Sequence, residues 1–404
     1  MIKRRKRNIV TCLVVAALFY TCRQLRRQGE STEPSVNDVV SEMAQTRNHS
    51  AMVSGSSCSR DSPTPELDKQ AMETFKVHDL LRMKKHDFLA DYRNPCWRNP
   101  NTGRLKCLPY FYLAGFAKCG TTFTFRTIFS HPDTAMPEVK ESHWLSKTRF
   151  KSQSNFLDYL EVFAPAAKKM EANLRPHPLD GKPFHHLITG DGSASTVWRN
   201  HFWDYLPGNY YCPEPRVVTP HYVHHLNPSA RVIIMTRDPA ERMISAYNNF
   251  DPGTGSPEHF HECMANQTQV YSDCFSRSSY RACVFNETLR IVTSKGHHCQ
   301  VVAGLFHVFI SDWLAVFPRD QILIIKMEDM RDDFYNVFAK IFKFLGLSPL
   351  SRSVMDQLEN EAKSKSRTKR VHMMDKTRQL LNDFYKPHNI QLTKLIDDSK
   401  RPRV

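Results

Sequence analysis

The chain reads as an α/β domain with a central, mainly parallel sheet flanked by helices. Four short runs rich in β-branched and aromatic residues, at 108–115, 184–190, 231–236 and 321–326, carry the strand signal. Stretches with helical periodicity lie between or after them, at 121–130, 240–250, 301–317 and 332–345. Strands that alternate with helices favour parallel pairing. In such sheets ligands gather at the carboxyl ends of the strands.

The segments before that domain differ in character. Residues 9–22 form an apolar run behind Lys3, Arg4, Arg5, Lys6 and Arg7, and Arg23, Arg26 and Arg27 follow it. A spanning helix needs about 20 apolar residues, so this run is short. No small-residue cleavage site follows it, which favours an uncleaved signal-anchor over residues 8–22 rather than a removed signal peptide. The heavier N-terminal charge puts residues 1–7 in the cytosol and the rest in the lumen. Residues 23–65 are rich in Ser, Thr, Glu, Asn and Pro and read as a flexible stem. Over 66–92, Met72, Phe75, Val77, Leu80, Leu81, Phe88 and Leu89 recur at helical spacing, which predicts a helical lead-in to a domain spanning 93–404.

Charge and cysteine usage narrow the partners and the compartment. Lys and Arg number 56 against 41 Asp and Glu, but eight of the basic residues lie in the first 27 positions. The remaining 48 still exceed the acids by seven, a balance that favours an anionic partner. Nine of the 11 cysteines lie beyond the apolar run and lack Cys-x-x-Cys spacing, so a disulfide-permitting compartment fits better than a zinc site. Cys96 with Cys107, and Cys274 with Cys283, are close enough in sequence to be the first pairings to expect. Asn48, Asn266 and Asn286 sit in Asn-x-Ser/Thr acceptors for glycosylation. The histidine pairs at 185–186, 224–225 and 297–298 lack metal-ligand spacing, and no metal is expected.

Two motifs carry the chemistry. The first strand runs into Gly115-Phe116-Ala117-Lys118-Cys119-Gly120-Thr121-Thr122 and then a helix. Glycines let the backbone wrap a phosphate, and the helix N-terminus, a Lys and two hydroxyls complete a cradle. It departs from a Walker loop because Lys118 precedes Gly120 rather than following it. The second motif closes the third strand, with Arg237 at its end and Ser245 two turns along the next helix. Such spacing lets both reach one phosphate, although an Arg-Asp pair before a helix also serves as a cap and surface ion pair.

In that order the two motifs resemble the sulfotransferase superfamily, whose P-loop-like first loop holds the 5' end and second the 3' end of 3'-phosphoadenosine 5'-phosphosulfate (PAPS). The resemblance assigns Lys118, Cys119, Gly120, Thr121 and Thr122 to the 5'-phosphosulfate, and Arg237 and Ser245 to the 3'-phosphate. The chain is most similar to the Golgi N-acetylgalactosamine 4-sulfate 6-O-sulfotransferases that act on chondroitin. Asn94-Pro-Cys-Trp97, Lys140-Glu-Ser-His-Trp144, Gly192-Ser-Ala-Ser-Thr196 and Phe384-Tyr-Lys-Pro-His-Asn389 carry that likeness. It implies a Golgi membrane protein that uses PAPS, an acidic glycosaminoglycan acceptor and no nucleic acid, and it implies nothing about oligomeric state. Ser142 stands where the family has proline. The basic loop 363–370 is shorter than the family's, which leaves open which of Arg367, Lys369 and Arg370 covers the nucleotide.

Sulfuryl transfer needs a base for the acceptor hydroxyl and positive charge on the leaving phosphate. Glu141 resembles the family's catalytic base, and Lys118 is the group to stabilise the bridging oxygen. His143 is the alternative base, and Lys140 and Trp144 complete the expected acceptor side, although a tryptophan more often fills a core. Competing readings are a sulfotransferase for another glycan such as heparan sulfate, a lumenal nucleotide kinase, and a non-catalytic polysaccharide-binding protein.

Overall fold

A computed structural model describes residue 58 and residues 79–398, apart from 151–153, 201–202, 251–254, 295–299 and 365–370. The expected anchor, almost all of the stem, residues 66–78, Asn48 and Arg370 lie outside the described residues. No helix among the described residues is long and apolar enough to cross a membrane.

Three of the four expected runs form a parallel sheet. β3 (Phe111–Gly115), β7 (Arg231–Thr236) and β8 (Ile322–Lys326) stand side by side, and β6 (Gly190–Asp191) flanks β3, in the order β6-β3-β7-β8. Each neighbouring pair is parallel. β3 is buried throughout and β7 beyond its first residue, as continuous apolar sequence requires of a strand covered on both faces. An antiparallel hairpin of β1 (Cys96–Arg98) and β2 (Leu105–Cys107) precedes the sheet and sets Cys96 directly opposite Cys107. A second, small hairpin joins β4 (Arg175–Pro176) to β5 (Pro183–Phe184).

The run at 184–190 is not one strand. Its residues pair with different partners in turn: Phe184 with Arg175, His185 with Tyr92, Ile188 with Thr134 and Gly190 with Phe111. No continuous ladder forms from such piecemeal pairing.

The helices follow the strands. α1 (Thr121–Phe129) leaves β3, and α2 (Phe156–Glu161), α3 (Ala164–Glu171) and α4 (Thr219–Leu226) lead towards β7. After β7 come α5 (Pro239–Phe250), α6 (Pro257–Phe275), α7 (Tyr280–Val284), α8 (Glu287–Ser294) and α9 (Phe306–Val316). α10 (Met327–Asp332), α11 (Phe334–Leu345), α12 (Arg352–Ser364) and α13 (Asp375–Asp398) follow β8. The helix expected over 301–317 is broken at Leu305 into a 3-10 turn and α9.

The lead-in corrects another expectation. Over 79–92 only Leu80–Arg82 is helical, as a single 3-10 turn. The apolar side chains are used otherwise: His86 stacks on Trp97 at 3.8 Å, Phe88 lies 6.2 Å from the same ring, and the Leu89 N–H donates to Cys96 O. Packing against the β1-β2 hairpin therefore replaces the helix.

Both expected disulfides, Cys96–Cys107 and Cys274–Cys283, are present, and Cys58–Cys212 adds a third. Asn266 and Asn286 are exposed, the first within α6 and the second capping α8 through an Oδ1 that accepts from Leu289 N–H.

Gly115 shows how tightly the end of β3 is fitted. It has φ +152°, and a Cβ there would lie 2.4 Å from Val197 Cγ1 and 2.7 Å from Ala194 O. Gly115→Ala is expected to cost about 2–5 kcal/mol, from overpacking and backbone strain combined, read as a lower urea midpoint at unchanged slope.

Candidate active site

All four parallel strands end on one edge of the sheet; the Lys118 loop and Arg237 lie in the chain that leaves those ends, and the Lys140-to-Trp144 segment packs against the chain that leaves β6. After β3 the loop turns at Lys118 (φ 70°) and Gly120 (φ 83°), left-handed conformations that bring the backbone into a tight curl before α1. The Cys119 N–H closes that turn onto Phe116 O. Its thiol is buried, and burial pushes its pKa up to about 12. Cys119 therefore supports the loop from the core, through its buried thiol and the bond of its N–H to Phe116 O. Gly120 and Lys118 are half-buried, Thr121 is buried and Thr122 is exposed at the start of α1, where helix N–H groups lack intrahelical partners.

After β7, Arg237 reaches across to that loop. Its Nη1 donates to Lys118 O at 3.3 Å and its Nη2 lies 3.5 Å from Glu241 Oε2. The two motifs, 119 residues apart in sequence, thus touch. Lys118 Nζ donates to Asn249 Oδ1 at 2.7 Å, so α5 holds the lysine as well as carrying Arg237's neighbour. Arg378, from α13, grips the other oxygen of Glu241. The carboxylate of Glu241 is shared between two guanidinium groups, one from the end of β7 and one from α13. Ser245 is half-buried on α5. One turn further, Asn248 makes a two-way clasp with the Val371 backbone, at 2.8 and 3.0 Å. That clasp anchors the residue that follows the basic loop 363–370 beside α5.

The Lys140-to-Trp144 segment is laid against the chain that leaves β6. Gly192 N–H donates to Lys140 O at 2.9 Å and His143 N–H to Ser193 Oγ at 2.9 Å. Asp191, buried at the end of β6, accepts from Ser142 Oγ at 3.0 Å, Tyr159 OH at 3.1 Å and Ser193 N–H at 2.8 Å. Ser142, the departure from the family's proline, is thereby used as a donor. Lys140 Nζ contacts Glu141 Oε1 and lies 3.5 Å from Thr121 Oγ1, which ties the segment to the start of α1. His143 Nε2 lies 3.1 Å from Glu141 Oε2.

Glu141 is an ionised carboxylate under this arrangement. Burial alone would raise its pKa, but hydrogen bonds from His143 and Lys140, with their charge, outweigh that and bring it to about 2. A depressed carboxyl contributes stability above its unfolded pKa, here 4.5, and loses it as pH falls towards 2. The Tm difference between wild type and Glu141→Gln is therefore expected to shrink as pH drops through that window, in a series of thermal melts.

Trp144 is only 4% exposed and stacks on Tyr159 at 4.9 Å. It belongs to the core, which corrects its expected place on the acceptor side. Among the described residues no group of His, Cys, Asp and Glu is placed to hold a metal.

Several residues of this site carry no local signal in the sequence. Asn249, Glu241, Arg378, Asp191, Ser193 and Ser195 act through partners distant in the chain. The only pointer to the last three is the run of small polar residues at 192–196.

A model of the sulfotransferase domain matches residues 109–389. Carbohydrate sulfotransferase 15 of Homo sapiens is 33% identical over 309 residues, covering 73% of this chain and 54% of that protein. The chain thus spans about half the length of the mammalian relatives it matches. Bifunctional heparan sulfate N-deacetylase/N-sulfotransferase 4 of Mus musculus is 23% identical over 353 residues, covering 80% of this chain and 35% of that protein. A crystal structure of a sulfotransferase from Alicyclobacillus acidocaldarius aligns with a TM-score of 0.46 and 20% identity, over 73% of this chain and 100% of that one. The matched domain begins two residues before β3, runs into α13 and takes in both loops and Glu141, and on that match the chain belongs to the sulfotransferase family.

Proposed function

We propose that this protein moves a sulfuryl group from PAPS to a hydroxyl of an acidic glycosaminoglycan. The observation that carries the reading is the contact of Arg237 with the Lys118 loop, with Glu141 joined to the same loop through Lys140 and Thr121. Cations for both ends of the donor and a carboxylate for the acceptor proton thus share one edge of the sheet.

In this reading Gly120, Thr121 and Thr122 cradle the 5'-phosphosulfate, and Arg237 and Ser245 take the 3'-phosphate. By the family resemblance, one of Arg367, Lys369 and Arg370 meets the nucleotide, with Arg370 our choice. The acceptor oxygen bonds to sulfur as the bond from sulfur to the bridging oxygen breaks. Glu141 receives the acceptor's proton, and Lys118 offsets the negative charge left on the bridging oxygen. Lys140 has a second task. While it contacts Glu141 it weakens that carboxylate as a base, and an anionic donor beside Thr121 draws the ammonium away, which restores the basicity of Glu141 where the acceptor arrives.

The acceptor in our reading is the 6-hydroxyl of N-acetylgalactosamine in chondroitin or dermatan sulfate, already 4-sulfated. The N-terminal basic and apolar residues support a Golgi membrane protein with this domain in the lumen. The distant relation to a heparan sulfate enzyme favours heparan sulfate as the second acceptor to test. Labelled sulfate transfer to chondroitin 4-sulfate, desulfated chondroitin, dermatan sulfate and N-desulfated heparin, followed by disaccharide analysis, decides between them. A 4,6-disulfated N-acetylgalactosamine is the expected product; label confined to heparin would replace the acceptor and keep the reaction.

A further inference from the structure

Beyond Glu141 lies a line of hydrogen bonds that the reaction above does not use. His143 Nε2 is 3.1 Å from Glu141 Oε2, its Nδ1 is 2.6 Å from Ser195 Oγ, and Ser195 Oγ is 2.7 Å from Ser146 Oγ. Glu141 and His143 are partly open, whereas Ser195 is 8% exposed and Ser146 fully buried. The line runs from the site into the interior.

The ionised end sets its direction. A carboxylate only accepts, so His143 Nε2–H donates to Glu141. When the ring is neutral Nδ1 is then the acceptor, and Ser195 Oγ–H donates to it. Ser146 Oγ–H completes the order by donating to Ser195. In that tautomer both ring nitrogens are engaged, and the lone pairs able to take a proton from an acceptor belong to Glu141.

The backbone at His143 is held with equal care. Its φ of 51° is left-handed, a conformation that a non-glycine residue keeps only when its surroundings fix it. Ser193 Oγ binds its N–H, and Lys147 and Thr148 N–H groups bind its carbonyl at 2.9 Å each. These contacts set where the ring stands, and Ser195 sets how it is turned.

We propose that Ser195 is a positioning residue for the Glu141 base, acting through His143 by fixing the Nε2–H tautomer and the rotation of its ring. This rests on Glu141 accepting the acceptor's proton. A base turned away from its productive position loses rate without losing the donor.

The test compares Ser195→Ala and Ser195→Thr with wild type in sulfuryl transfer. Binding of 3'-phosphoadenosine 5'-phosphate is measured by calorimetry, and the His143 tautomer is read from imidazole nitrogen shifts. Ser195→Ala is expected to lower kcat on the order of 10-fold with nucleotide affinity unchanged and the Nε2–H form no longer dominant. Ser195→Thr, which keeps the hydroxyl, is expected to restore both. In a Glu141→Gln background Ser195→Ala is expected to add no further loss, because the two act as one unit. Should Ser195→Ala fail to bind nucleotide, Ser146→Ala removes the outer link instead and is expected to show a smaller loss of the same kind. Wild-type kcat and an unchanged tautomer in a nucleotide-binding Ser195→Ala protein would overturn the inference, as would an equal loss in the Glu141→Gln background. Absence of transfer by wild type would fail the functional reading instead, and the tautomer measurement would still decide whether Ser195 orients His143.

Discussion

Glu141→Gln is expected to lower kcat by about 10²–10⁴-fold while nucleotide binding does not weaken. The amide keeps the size of the side chain and its place beside Lys140 and His143, but it has no lone pair basic enough to take the acceptor's proton. Glu141 holds Lys140, which the donor otherwise draws to itself, so removing the carboxylate charge leaves the donor's affinity unchanged or raised. Steady-state kinetics alongside calorimetric titration separates the two quantities. A variant that loses nucleotide binding to the same degree as rate would place Glu141 in the scaffold rather than in the reaction.

Arg237→Ala is expected to do the reverse, weakening the nucleotide by about 10–100-fold with a smaller effect on kcat at saturating donor. Hydrogen bonds to a charged group contribute about 1.5–3 kcal/mol, and each 1.4 kcal/mol is tenfold in affinity. Two further losses follow from the geometry: the Lys118 carbonyl loses its guanidinium donor, and Glu241 is left to Arg378 alone. Arg237→Lys should recover only part of the affinity, because an ammonium cannot reproduce the planar fork that spans Lys118 O and Glu241. Titration of 3'-phosphoadenosine 5'-phosphate into each variant reads both effects.

Much of this was legible in the chain itself, for physical reasons that differ from part to part. β3 and β7 are continuous apolar runs because both of their faces are covered, β8 is an apolar run at the partly buried edge of the sheet, and such runs stand out in any sequence. Lys118 and Arg237 stand out in the sequence because each follows a strand end, and Glu141 stands out only through the family resemblance of its motif. The 184–190 run was misread as one strand because an extended segment that pairs with four different partners has the composition of a strand without its ladder. Phe88 and Leu89 suggested a helix by their spacing, but Trp97 and the β1-β2 hairpin supply the burial that a helix face would otherwise have provided. The roles of Asp191, Ser195 and Arg378 are not legible in the sequence, although the 192–196 run marks the neighbourhood of the first two. Ser195 acquires its role from His143, 52 residues earlier, and Arg378 from Glu241, 137 residues away. Pairings at that range are made by topology and leave no periodicity behind.

Trp144 carries a similar lesson. Its place beside Glu141 and His143 suggested a sugar platform, yet the turn at His143 sends the indole inward onto Tyr159. Adjacent residues in a strained turn face opposite ways, and the sequence order of a motif does not say which of its members meets the ligand.

The most direct test of the central claim, that one cradle built by Lys118, Arg237 and Glu141 performs sulfuryl transfer, is a single assay. Purified protein is incubated with PAPS carrying labelled sulfate and chondroitin 4-sulfate, and label on the polysaccharide is compared with 3'-phosphoadenosine 5'-phosphate released. The account requires one labelled sulfate on the polymer for each nucleotide released, and loss of both in Glu141→Gln. Nucleotide released without label on the chondroitin 4-sulfate, or equal transfer by Glu141→Gln, would contradict it.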